Sequence, residues 1–299
     1  MKKQVGLGLV ALLSVGLLAA CGGNDKGTAS TAESTTASSA ASGLPAMTEA
    51  SASDIAYKDG TYKATFDRTD VRDWQAFVEL TVKDGKIATA KYDYTNADGA
   101  IRSDDKNYEE AFAAANKFTP KEAFTRLGEE LVATQDANRI DVVSGATHSS
   151  RNFDTLAKAA AKNAEAGTTD EAIVPLYQDG TYKLTAPEFS EQGWKDFVEL
   201  TIKDHKIAAV TFDSVNKDGK LKSTDADYKA NMEKETKTYP EKYSKELTDA
   251  LLKDQKVSAV EAVTGATHSS DTFKSYVEMI LDDYAEIGKT GEFEATPAE

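Results

Sequence analysis

One cysteine, three histidines and two tryptophans in 299 residues leave few of the side chains on which protein chemistry most often rests. A lone cysteine forms no intrachain disulfide and no cysteine metal cluster. His148, His205 and His268 are too few and too scattered to make a zinc or haem site, so no metal is expected. There is no Gly-x-Ser-x-Gly elbow, no Gly-x-Gly-x-x-Gly loop and no complete Gly-Lys-Ser/Thr phosphate loop. Basic residues are also scarce: 35 Lys and Arg stand against 50 Asp and Glu, a formal net charge of -15. Nucleic acid phosphates would be repelled, so no nucleic-acid partner is expected.

Long apolar runs are missing except at the N-terminus. Lys2 and Lys3 precede an apolar stretch from Val5 to Leu18, followed by Ala19-Ala20-Cys21. A basic start, an apolar middle and small residues at the cut are the marks of a secretory signal, here residues 1–20. The placement of the one cysteine directly after Leu-Ala-Ala resembles a bacterial lipobox. That resemblance implies acylation of Cys21 and attachment to the cell membrane on its extracellular face. Two or more acyl chains hold far better than the marginal anchoring given by one. Residues 21–55 are rich in Ser, Thr, Ala and Gly, and they cannot bury enough surface to offset ordering entropy. They read as a disordered tether with a coil dimension of roughly 30–35 Å, extensible to about 120 Å.

Beyond the tether the chain repeats itself at an offset of 120. Asp59-Gly60-Thr61-Tyr62-Lys63 recurs as Asp179-Gly180-Thr181-Tyr182-Lys183, and Phe77-Val78-Glu79-Leu80-Thr81 as Phe197-Val198-Glu199-Leu200-Thr201. A period of that length is a duplicated domain, since solenoid units are shorter. The domains are placed at residues 56–167 and 177–290, with a linker at 168–176 and a tail at 291–299. Within a copy, Thr61 to Phe66 reads as a strand. Phe77 to Val82 and Lys86 to Tyr94 read as a hairpin about Asp84-Gly85. Tyr108 to Lys117, Lys121 to Gln135 and Asn152 to Ala164 have helical spacing. Antiparallel strands followed by helices predict an α+β domain in two copies. Trp74, Trp194, Tyr62 and Tyr182 read as core or sheet-face residues, and His205 as a surface turn residue.

The most telling repeat is Ser144-Gly145-Ala146-Thr147-His148-Ser149-Ser150, matched by Thr264-Gly265-Ala266-Thr267-His268-Ser269-Ser270. Glycine permits a positive-φ turn and alanine adds little bulk. Ser149 or Ser150 is positioned to cap the next helix, leaving free N–H groups and a positive dipole end beside Thr147. Such a start suits a phosphate, to which a threonine hydroxyl can hydrogen-bond or be esterified. On the residues alone, a structural turn kept in both copies explains the repeat as well. Adjacent His148 and Ser149 do not by themselves make a hydrolytic triad, and no catalytic residue is assigned.

Asp141-Val142-Val143-Ser144-Gly145-Ala146-Thr147 resembles the flavinylation motif Asp-x-x-Ser/Thr-Gly-Ala-Thr/Ser of FMN-binding domains, such as those of sodium-pumping and Rnf-type respiratory complexes. In that family a flavin transferase takes FMN from FAD and joins its phosphate to the final threonine. The resemblance implies covalent FMN on Thr147 and Thr267, two per chain. Asp141 and Glu261 stand at the transferase-recognition position, where the family has aspartate. Ser144, Gly145, Ala146 and His148 would surround the first flavin phosphate, and Thr264, Gly265, Ala266 and His268 the second. Together with the lipobox and tether, the chain resembles the PplA-type lipoproteins of Gram-positive extracellular electron transfer. This second resemblance implies an electron carrier between a quinone-linked NADH dehydrogenase system in the membrane and external acceptors such as ferric iron. The alternative is a surface binding or adhesion lipoprotein whose repeated turn is structural.

Overall fold

The structure, a computed structural model, describes residues 43–44 and 51–295. The signal segment, Cys21 and most of the tether therefore lie outside the described residues. The first domain opens with β1 (Gly60–Phe66), β2 (Gln75–Lys83) and β3 (Lys86–Thr95). Strand β2 alternates half-buried and buried positions along Gln75 to Val82, so one face packs inward, as a period of two requires. The β2–β3 turn has Asp84 and Gly85 both at positive φ, 53° and 74°, the primed geometry that matches strand twist. The second copy forms the same turn with Asp204 and His205 at 51° and 60°. His205 is half-buried there, its Nδ1 2.9 Å from the Tyr177 carbonyl.

Helices follow. α1 (Lys106–Asn116) is capped by Asp105, whose carboxylate accepts from the Tyr108 N–H. α2 (Pro120–Thr134) begins with a full Thr119/Glu122 capping box and Pro120 in its first turn. α3 (Thr147–Ala166) ends at Gly167, whose φ of 73° supplies the left-handed residue that terminates a helix. The helices cover one face of the sheet, and Tyr62, Leu80, Leu127, Leu131, Phe153 and Leu156 are fully buried between the layers. Tyr182 is also fully buried, Trp194 is buried and Trp74 is half-buried against the core.

The segment 168–176, read from sequence as a linker, contains β4 (Ala172–Val174), which pairs in parallel with β1. The first sheet is thus four-stranded, in the order β3-β2-β1-β4. The second domain repeats this with β5 (Gly180–Thr185), β6 (Lys195–Lys203), β7 (Lys206–Val215), α4 (Ala226–Thr236), α5 (Pro240–Asp254), α6 (Thr267–Met279) and β8 (Gly291–Glu294). β8 lies in what the sequence presents as a tail, and it pairs in parallel with β5. Both fourth strands are too short to show a period of two, and only the path of the chain after the last helix brings them to the sheet edge.

The repeat is not uniform. Ala64 pairs with Ala172 in the first sheet, while Leu184 pairs with Phe293 in the second. The offset is 120 before the last helix and 121 after it. One extra residue has entered the second copy, and residues Ile280–Ala285 absorb it as a π-helical segment continuing α6.

Candidate functional site

In both copies the repeated heptapeptide forms a tight turn that runs directly into a helix. Gly145 has φ of 86° and Gly265 of 81°. Each turn is backed by the end of the helix two elements earlier. A Cβ on Gly145 would lie 2.5 Å from Asn116 Oδ1, and one on Gly265 would lie 2.8 Å from Thr236 Cβ. Glycine is required here by both conformation and space.

The helix start differs from the sequence expectation. Ser149 and Ser150 do not precede α3; the helix begins at Thr147, with Ala146 as an N-cap that has no side-chain oxygen to offer. Ser150 instead sits inside the first turn, its Oγ accepting from the Val143 N–H at 3.0 Å and donating to the Ala146 carbonyl at 2.9 Å. Ser270 repeats both bonds on Val263 and Ala266 at the same distances. The last serine of the heptapeptide is therefore a staple that holds the turn. Its signal in the sequence is the recurrence itself, for capping alone would allow either serine.

Without a side-chain cap, the first helical amides are left over. The first backbone bond at this start runs from the Ser150 N–H to the Ala146 carbonyl, and from Ser270 to Ala266 in the second copy. Among the described residues, the N–H groups of Thr147, His148 and Ser149 have no acceptor, and those of Thr267, His268 and Ser269 match them. Both threonines are exposed, as are Ser144, Gly145, Thr264 and Gly265, while Ala146 and Ala266 are buried beneath them. An exposed hydroxyl beside three free N–H donors and a positive dipole end suits a phosphate group. Asp141 and Glu261 are exposed as well, six residues before their threonines. The Asp141 N–H donates to Glu130 Oε1 at 2.9 Å.

The surroundings of the two turns diverge. Behind the first lies a chain of aromatic contacts, Tyr108 to Phe112 at 5.7 Å and Phe112 to Phe118 at 5.6 Å, with the Arg102 guanidinium 4.4 Å from the Tyr108 ring centre. The second has Met232 and Thr238 in place of the two phenylalanines. Beneath the first helix start, the buried hydroxyls of Tyr92 and Tyr94 are 2.7 Å apart, and Tyr92 donates to the Ser149 carbonyl at 2.8 Å. Burial pushes the Tyr94 phenol up to about 12. Phe212 and Ser214 replace this pair in the second copy.

The two histidines part company completely. His268 is exposed. His148 reaches into the second domain, with Nε2 2.7 Å from Glu286 Oε2 and 3.4 Å from Asp282 Oδ1. Arg72 completes the contact, donating to both Asp282 oxygens at 2.9 Å. Burial pulls His148 down, but the Glu286 hydrogen bond and the charges of Glu286 and Asp282 outweigh it and raise the imidazole above its ordinary value. Burial also raises the Asp282 carboxyl, yet the Arg72 bond and the charges of His148 and Arg72 hold it below its ordinary value. Nothing in the sequence points to this cluster, whose histidine and Glu286 lie 138 residues apart. A cavity of about 970 Å³ adjoins it, lined among others by Ile140, Val142, Arg151 and Leu176. A separate cavity of about 650 Å³ lies between α2 and β3 and touches no residue of the heptapeptide.

Two α+β domains, each presenting an exposed threonine at an uncapped helix start, define a tandem-domain protein. The chain matches the FMN-binding domain over residues 74–162 and again over 193–282, and it belongs to that family. It is 41% identical over 117 residues to a 15 kDa lipoprotein of Treponema pallidum, a match spanning 39% of this chain and 80% of the relative. A crystal structure of a Clostridium perfringens protein is 36% identical, over 40% of this chain and 97% of its own, with a TM-score of 0.38. A solution structure from Clostridium thermocellum, 24% identical over 36% of this chain and 91% of its own, has a TM-score of 0.25.

Proposed function

We propose that this chain is a lipid-anchored extracellular electron carrier with FMN esterified through its phosphate to Thr147 and to Thr267. One observation carries the reading: in two FMN-binding domains, the same exposed threonine stands at a helix start whose first three N–H groups have no partner among the described residues. The residues present suit the group. The phosphate would be met by the N–H donors and dipole end, and the glycine turn keeps bulk away from it. When bound, FMN supplies reversible one- and two-electron chemistry that no side chain here can provide.

The chain's own contribution is attachment, placement and exposure. Asp141 and Glu261 would face a flavin transferase on the same surface as the threonines. An ester is sensible for a protein outside the cell, where a dissociating cofactor is diluted below its Kd and lost. The Treponema pallidum relative is described as a lipoprotein, which supports acylation at Cys21. A quinone-linked NADH dehydrogenase system would be the donor and ferric iron an acceptor, and neither requires a closed substrate pocket.

Intact-mass measurement after co-production with a flavin transferase tests the reading. Two added FMN phosphoryl groups are expected, one remaining in T147A, one in T267A and none in the double variant. A chain that gains no such mass, or that keeps it without both threonines, refutes the proposal.

A further inference from the structure

The His148, Asp282 and Glu286 cluster lies on the seam between the domains and has features that an ion-pair latch alone leaves unexplained. One nitrogen and one oxygen from each carboxylate lie within 4.8 Å of one another. The Glu286 side chain is 3% exposed, and among the described residues its second oxygen, Oε1, has no hydrogen-bond partner. A buried carboxylate oxygen left unpaired is costly unless something bonds it.

The backbone that delivers these carboxylates is itself unusual. Asp282 sits inside the π-helical segment Ile280–Ala285, and Glu286 follows directly. This is the segment that absorbs the single residue inserted in the second copy. The corresponding end of α3 is an ordinary α-helix in which Glu165 stands at the place of Glu286, but Ala161 and Lys162 stand where the second copy has Asp282, so it presents no such pair. Single π turns inside α-helices recur at functional sites because they re-aim side chains.

We infer that His148, Asp282 and Glu286 form an interdomain site for a divalent transition-metal ion of the zinc class. An ion with bonds of about 2.0–2.1 Å in tetrahedral geometry needs donor atoms roughly 3.3 Å apart. The His148–Asp282 separation of 3.4 Å already satisfies this. The 2.7 Å His148–Glu286 contact is a hydrogen bond, and replacing its proton by the ion requires an opening of about 0.6 Å. Arg72 does not block the site, because each Asp282 oxygen has a second lone pair. One imidazole and two carboxylates favour a borderline ion over a soft or a purely oxygen-seeking one. The ion would lock the two domains together one residue from Thr147, with Glu286 Oε1 or a water completing the shell. It does not depend on the flavin.

The test uses the full chain, free of affinity tag and stripped with chelator, titrated with Zn²⁺ in a calorimeter and with Co²⁺ by visible absorption. One ion per chain is expected, with binding weakened at least tenfold in H148A and in E286Q, and a Zn²⁺-induced rise in Tm confined to the wild type. His148 is 36% exposed, so H148A keeps the test decisive even if E286Q folds poorly. Absence of saturable binding, or binding of unchanged affinity in H148A, overturns the site and leaves the contact as an ion-pair latch.

Discussion

Alanine at Gly145 and at Gly265 should destabilise the two domains unequally, because the same turn is backed by different atoms. An alanine held at φ of 86° or 81° costs about 1–2 kcal/mol for the left-handed conformation alone. At Gly145 the nearest obstacle is Asn116 Oδ1 at 2.5 Å, the end of a side chain that can rotate away. Rotation would break the 3.0 Å bond from Asn116 Nδ2 to the Phe112 carbonyl, a further loss of about 0.5–1.5 kcal/mol. At Gly265 the obstacles are Thr236 Cβ and the Thr236 carbonyl oxygen, both at 2.8 Å, and neither moves unless the end of α4 moves. Overpacking of that kind costs about 1–3 kcal/mol. The expected totals are about 1.5–3.5 kcal/mol for G145A and about 2–5 kcal/mol for G265A, G265A being the larger. The chain has one tryptophan in each domain, Trp74 and Trp194. Urea unfolding followed by fluorescence, with the other tryptophan changed to phenylalanine, therefore reads each domain separately. A G265A loss smaller than that of G145A, or losses below about 0.5 kcal/mol in both, would refute the reasoning.

Three further outcomes are expected. Exchanging the first motif carboxylates, D141E and E261D, should lower flavin occupancy at Thr147 and raise it at Thr267, as measured by peptide mass spectrometry; equal occupancy in both directions would remove Asp141 and Glu261 from transferase recognition. Y92F should cost about 1–3 kcal/mol by leaving the Ser149 carbonyl and the Tyr94 hydroxyl short of a buried partner, whereas Y92F/Y94F should cost less than the sum of the single changes, as a thermal-unfolding cycle would show. Burial raises the Asp67 carboxyl, but its bonds from Arg68 and the Leu176 N–H hold it below its ordinary value. Its contribution to stability is therefore full above the unfolded carboxylate value and is lost as pH falls through the lower folded one. The stability gap between wild type and D67N should be constant above about pH 5 and close as the medium becomes more acid; a gap that widens on acidification contradicts the assignment.

Much of one domain is legible in local pattern. The Asp84-Gly85 hairpin, the helix started by Thr119-Pro120 and the alternation along β2 each depend on residues within a few positions of one another, and each stands where the pattern puts it. The turn at Gly145 and its threonine are legible for the same reason, reinforced by recurrence. Local pattern puts the start of α3 a few residues late, because a serine can serve as an N-cap or as an internal staple, and only the positions of Val143 and Ala146 decide between them. The fourth strands β4 and β8 look like linker and tail because a strand of three or four residues has almost no pattern of its own.

The sequence by itself determined the duplication, the α+β character of each copy and the glycine turn before each of the two threonines, since these rest on period, composition and local turn chemistry. The copies already differ in sequence at Asp141 and Glu261 and where Phe212 and Ser214 replace Tyr92 and Tyr94, and tertiary structure alone decided what those differences meet. It placed Tyr92 and Tyr94 under one helix start only, left His268 in solvent, and brought His148 against Asp282 and Glu286 across the seam. The physical reason is that packing and electrostatics act between side chains adjacent in space, and the one-residue insertion lies in the π-helical segment that carries Asp282 and leads into Glu286, the two carboxylates that His148 meets.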